Sequence, residues 1–168
     1  MTEPWLRGPV PGVPPLLQPA AHALLMSRED IDRAVDGLTP EQVWMSPGGA
    51  ATIGYHVAHL SGATDRLFSY ARGEALTPEQ RDTYRAEANL SDTRPPFEAL
   101  LTKWHETIDT ALAQLRGTKE ESLLDVREVG RDRVPSNVLG LLFHAAEHAS
   151  RHTGQVVTTT KLIRSLGP

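Results

Sequence analysis

The chain has 168 residues, seven histidines, no cysteine and a formal net charge of −4. That length carries one hydrophobic core comfortably and two only with difficulty. The lack of cysteine excludes a disulfide scaffold, thiolate zinc sites and a cysteine nucleophile, and the weakly acidic balance offers no general attraction for nucleic acid or anionic lipid.

Residues 5–19, WLRGPVPGVPPLLQP, carry proline or glycine at almost every second position, so an extended arm is expected there. Trp5, Val10, Leu16 and Leu17 give that arm apolar groups to lay along a domain. Its prolines interrupt any apolar run, so the core of a secretory signal is missing, and no later stretch approaches a membrane span. The expectation is a soluble cytoplasmic protein with an arm at 1–15 and one helical domain at 16–168.

A helical pattern runs from 16 to 35, with Leu17, Ala21, Leu24, Leu25, Ile31 and Val35 at spacings of three, four and seven, and Gly37 closes it. Thr39-Pro40-Glu41-Gln42 reads as an N-cap followed by proline, with room for one or two turns before Pro47-Gly48-Gly49. A second long helix is expected from 51 to 72, with Ile53, Leu60 and Leu67 seven apart and His56, Ala63 and Tyr70 between them, which is a bundle seam. Gly73 ends it, and Thr77-Pro78-Glu79-Gln80 opens a shorter polar helix to about 88. Residues 89–96 read as a turn. A third long helix follows from 97 to 115, with Leu100, Leu101, Trp104, Ile108, Leu112 and Leu115 facing inward. Residues 126–134 alternate around Gly130-Arg131 as a small hairpin. The last long helix opens after Pro135 with Ser136 as N-cap and is stopped by Gly167. Four long helices with two lengthy connections predict an all-α fold, an antiparallel four-helix bundle with at least one crossover.

The last helix contains FHAAEHASRHTGQ at 143–155, with His144, His148 and His152 four residues apart. Neighbours at that spacing stack on one helix face with Cβ atoms roughly 5–6 Å apart, close enough to share a metal ion. Advancing about 100° per residue, Leu141, His144, His148, Gln155, Thr159, Leu162 and Leu166 fall on one side with His152 beside them, so the histidines are expected on the core-facing stripe. His144 and His152 are roughly 12 Å apart along the axis, so the pair is His144 with His148 or His148 with His152. A third ligand comes from His56 or His59 in YHVAHLSG, and seam geometry slightly favours His56. His22 and His105 are isolated and read as structural. No glutamate has a histidine three residues later, which excludes a di-iron carboxylate bundle. His-Glu-x-x-His, the phosphate-loop signature and the nucleophile-elbow signature are absent.

The two histidine elements together, GYHVAHLSG at 54–62 and EHASRHTGQ at 147–155, with the closing Leu-Ile-Arg-Ser-Leu-Gly, resemble the DinB-like superfamily of small bacterial four-helix proteins. The resemblance covers residues 16–167. It implies a divalent metal, zinc or nickel, held by His59, His148 and His152, with His56 and His144 orienting ligands or substrate. Thr153 stands where many relatives carry arginine before Gly-Gln. Characterised relatives include transferases and isomerases that use low-molecular-weight thiols, so a thiol S-transferase is the leading expectation. The thiol would be the cosubstrate's, because the chain has none. Tyr55, Arg66, Tyr70 and Gln155 are the expected pocket groups. The alternatives are a metal-dependent hydrolase and a non-catalytic stress-response or interaction protein with a structural metal. Homodimers are common among relatives. DNA binding finds no basic stripe or reading helix here.

Overall fold

The computed structural model describes residues 2–166, and the expected stop at Gly167 lies outside them. Four long helices make the frame: α1 (Gln18–Val35), α3 (Ile53–Ala71), α6 (Phe97–Gly117) and α7 (Val138–Ser165). Shorter helices α2 (Pro40–Val43), α4 (Pro78–Ala86) and α5 (Leu90–Thr93) lie in the connections, as does an antiparallel hairpin of β1 (Val126–Val129) and β2 (Val134–Asn137). The chain is all-α with this one small sheet.

The helix starts follow from local chemistry. Thr39 and Thr77 each close a reciprocal capping box with Gln42 and Gln80, satisfying two backbone donors that a helix start otherwise leaves bare. Thr52 Oγ1 accepts from the backbone N–H of Tyr55 to start α3. The last helix is capped by Asn137, whose Oδ1 accepts from the Gly140 N–H at 2.7 Å. Ser136, the expected cap, is instead paired with Arg127 in the hairpin. The expected turn at 89–96 contains the single helical turn α5.

Side-chain contacts fix the helix directions. His105 with Asp32 and Arg28 with Asp109 run α1 and α6 antiparallel. Arg164 donates to the carbonyls of Ala34 and Asp36, so α1 and α7 end together and run parallel. His56 meets His152 and His59 meets His148, which makes α3 and α7 antiparallel. On α6, Leu100 and Lys103 line a cavity with Ala58 and Gly62, while Gln114 reaches Phe68 and Arg72, so α3 and α6 are parallel. The order is therefore up-down-down-up, with α1 and α3 on one diagonal and α6 and α7 on the other. Two parallel consecutive helices need a connection that travels the length of the bundle. The segment carrying α4 and α5 is that crossover. It is pinned to α3 by Gln80, which donates to Asp65 Oδ2 at 2.8 Å and Ser69 Oγ at 2.7 Å.

The core gathers Leu17, Leu24 and Ile31 of the first helical segment, Ile53, Val57 and Leu60 of α3, Trp104 and Ile108 of α6, and Leu142, Val156 and Ile163 of α7. On α7 the buried stripe is Leu141, Leu142, Ala145, Ala146, Ala149, Thr153, Val156, Thr159, Thr160 and Ile163. This corrects the sequence reading: His144, Gln155, Leu162 and Leu166 are exposed, and the reading weighted leucines over the alanines that let α7 approach its neighbours closely. Of the arm's apolar groups, Val10 and Leu17 are buried while Trp5 and Leu16 are exposed. Gln18 clasps the arm by bonding Val10 N–H and the carbonyls of Val10 and Val13. Among the described residues no helix is long and apolar enough to cross a membrane.

Gly54 on α3 lies flat against the ring of Trp44, where an added Cβ would stand 2.5 Å from the nearest ring carbon. Gly54→Ala is expected to destabilise the fold by about 1–3 kcal/mol, the range for overpacking a filled core, as measured by urea unfolding. An unchanged midpoint would show that the Trp44 ring moves freely.

Candidate metal centre

The site forms where the first half of α3 faces the middle of α7. One ring nitrogen from each of His59, His148 and His152 lies within 4.8 Å of the other two, and the three ring centroids are 4.5 to 5.1 Å apart. For comparison, the edge of a tetrahedron with metal–nitrogen bonds of about 2.0–2.1 Å is roughly 3.3 Å. His59 Nε2 and His148 Nε2 are already 2.9 Å apart. One pair is thus inside that spacing, and no pair of the set exceeds it by more than about 1.5 Å.

The remaining histidines fall outside this trio. His56 is buried, and its Nδ1 lies 2.9 Å from His152 Nδ1, so it touches the cluster from the core side. Seam geometry favoured His56, but the antiparallel register sets His59, one turn further on, against His148. His144 projects outward with a half-exposed side chain, 3.5 Å from Glu147, and its ring is 5.8 Å from that of His148. His22 meets the Gly8 carbonyl and His105 meets Asp32, both away from the site.

Of the expected pocket groups, Tyr55 stacks on His59 with planes 6° apart. Arg66 extends toward the site with its guanidinium 4.7 Å from the centre of the Tyr84 ring. Tyr70 is half-buried against the core, and Gln155 is on the exposed face of α7. One residue of the centre was missed by sequence reasoning. Glu87, at the end of the α4 segment, is 7% exposed and lies 2.7 Å from His59 Nδ1 and 2.8 Å from Arg66 Nη1. No periodicity marks it, since it reaches the cluster through the crossover; the signal was a lone acid where a polar helix ends. A cavity of about 300 Å³ between α3, α4 and α6 touches the site through Arg66 and Glu87 and is lined by none of the histidines.

Burial holds these groups in the states a metal requires. Desolvation, and then the neighbouring imidazoles, push His56 and His148 down from 6.5 to about 4 and push His152 down as well, so the rings are neutral at pH 7 and carry lone pairs. For Glu87, burial pushes the carboxyl up, but hydrogen bonds from His59 and Arg66 outweigh it and hold it below the usual carboxylate range. An ionised carboxylate only accepts, so His59 Nδ1 donates in this bond. A donor set of imidazole nitrogens suits a borderline divalent ion.

The scan against family models matches the DinB superfamily over residues 23–156. No curated protein matches the chain. A three-histidine cluster in this setting is compatible with metal binding.

Because the lowered values belong to the folded state, the unfolded chain binds more protons between pH 6.5 and about 4. The stabilisation is present above that window and is lost as the pH falls through it. Thermal melts of chelator-treated protein at pH 7.5, 6 and 5 should show a melting temperature that declines by several degrees. A constant melting temperature would contradict buried neutral imidazoles.

Proposed function

The chain belongs to the DinB superfamily, and we propose that it is a metal-dependent enzyme whose divalent ion, zinc or nickel, is held by His59, His148 and His152. The observation that carries this reading is the convergence of three imidazoles from α3 and α7, with a nitrogen of each within 4.8 Å of the others. A divalent ion held by three imidazoles supplies a Lewis acid with open positions, which lowers the pKa of a water or thiol toward ~7.

The reaction proposed is transfer of a low-molecular-weight thiol to an electrophile. The protein's own residues support that class in two ways. It has no cysteine, so a thiol nucleophile must arrive as cosubstrate. The half-buried histidines leave the cluster within reach of solvent, and His144 and Tyr55 flank it on α7 and α3 as groups able to orient a small polar ligand. Hydrolysis at the same centre is the competing chemistry.

A purely structural ion is less well supported. The imidazoles of α3 already pair with those of α7 through His56–His152 and His59–His148 contacts, and the apolar core lies between all four helices.

Elemental analysis and Zn²⁺ titration should give one ion per chain, with binding weakened at least a hundredfold in His59→Ala, His148→Ala or His152→Ala and nearly unchanged in His144→Ala. Retained affinity in His59→Ala with loss in His56→Ala would overturn the ligand set. Zn²⁺- or Ni²⁺-loaded protein is expected to accelerate consumption of cysteine or glutathione by monochlorobimane. Loss of melting temperature on metal removal without any thiol-dependent activity would establish the structural role instead.

A further inference from the structure

Among the described residues, Glu87 is the one carboxylate in contact with the histidine cluster from outside the two helices that form it, and its surroundings are built around it. One oxygen faces His59 Nδ1 at 2.7 Å and the other accepts from Arg66 Nη1 at 2.8 Å. Arg66 is in turn laid over the Tyr84 ring, and Tyr84 belongs to α4, the same crossover segment that ends at Glu87. Independent evidence comes from Gly62. A Cβ there would stand 2.7 Å from both Arg66 Nη1 and Glu87 Oε1, so α3 leaves out a side chain at the point where the ion pair crosses it. Gly62 is in the middle of a helix, where glycine is less favourable than alanine. The space it leaves is occupied by this pair.

Burying a carboxylate is unfavourable unless it is paired and hydrogen-bonded. Arg66 alone satisfies one oxygen, and His59 satisfies the other. The pairing also has a chemical consequence. A neutral imidazole has one N–H; a carboxylate at Nδ1 demands it there, which leaves the lone pair on Nε2, the nitrogen that faces His148.

We infer that Glu87 is the positioning residue of the metal centre: delivered by the crossover segment and locked by Arg66 in the gap left by Gly62, it fixes His59 as an Nε2 ligand. The inference rests on the metal-binding reading above for its effect on affinity, but its effect on the tautomer of His59 stands without it. Docking of the α4 segment and competence of the metal site are then one event.

The test is Glu87→Gln, an isostere with only one acceptor oxygen. Arg66 takes that oxygen, which turns the amide NH₂ toward His59 Nδ1 and requires a lone pair there. His59 should change from the Nδ1–H to the Nε2–H tautomer, read by long-range ¹⁵N–¹H correlation of the imidazoles in chelator-treated protein. Zn²⁺ affinity should fall tenfold to a hundredfold, the usual cost of losing a carboxylate behind a histidine ligand. Gly62→Ala, which keeps Glu87 but crowds the pair, should lower the affinity in the same direction and provides the test if Glu87→Gln fails to fold. Persistence of the Nδ1–H tautomer in Glu87→Gln, or wild-type affinity in Gly62→Ala, would overturn the inference. Absence of Zn²⁺ binding by the wild-type protein would overturn the metal reading, while the tautomer measurement would still decide the role of Glu87.

Discussion

The antiparallel register of α3 against α7 is the constraint on which everything else at this site depends. It sets His56 against His152 and His59 against His148, so that side chains nearly a hundred residues apart in sequence meet within hydrogen-bonding distance. The register is held by packing on both sides of the histidines. Val57 and Leu60 of α3 and Ala145, Ala149 and Val156 of α7 are buried in the core beside them. Because side chains on a helix recur every three or four residues, a slip of one residue would turn the imidazoles away from one another. The site is therefore as precise as the core beneath it.

The crossover adds a second level of organisation. Parallel α3 and α6 oblige the chain to travel back along the bundle, and the returning segment lies over the face of α3 that carries Arg66 and Gly62. A connection that topology requires in any case supplies Glu87 and Tyr84 to the site. The pair of Thr-Pro-Glu-Gln boxes has a similar economy. Each starts a helix in a connection rather than in the bundle, and the second positions Gln80 to bond Asp65 and Ser69 of α3.

Much of this was legible in the sequence because it rests on local rules. The four long helices, both capping boxes, the glycines after α1 and α3, and the hairpin around Gly130 follow from periodicity, cap chemistry and turn residues. The three-histidine grouping was legible through its family resemblance, whereas spacing alone left His56 and His59 unresolved, since only the register between two distant helices separates them. The face of α7 was misjudged because leucines were given more weight than alanines, yet small residues mark where helices come closest. Glu87 was barely legible. An acid at the end of a polar helix has no local pattern to distinguish it, and its importance comes from a tertiary contact with His59 on another element.

The separation of the clustered histidines along the sequence bears on when the site can form. His148 and His152 lie on α7, whereas His59 lies on α3 and Glu87 in the crossover that follows it. A ribosome making this chain from its N-terminus completes the bundle last. Before His148 emerges, the growing chain contains only one of the three clustered imidazoles. The cluster therefore comes into being only when α7 docks against α3, and no single segment of the chain carries it alone.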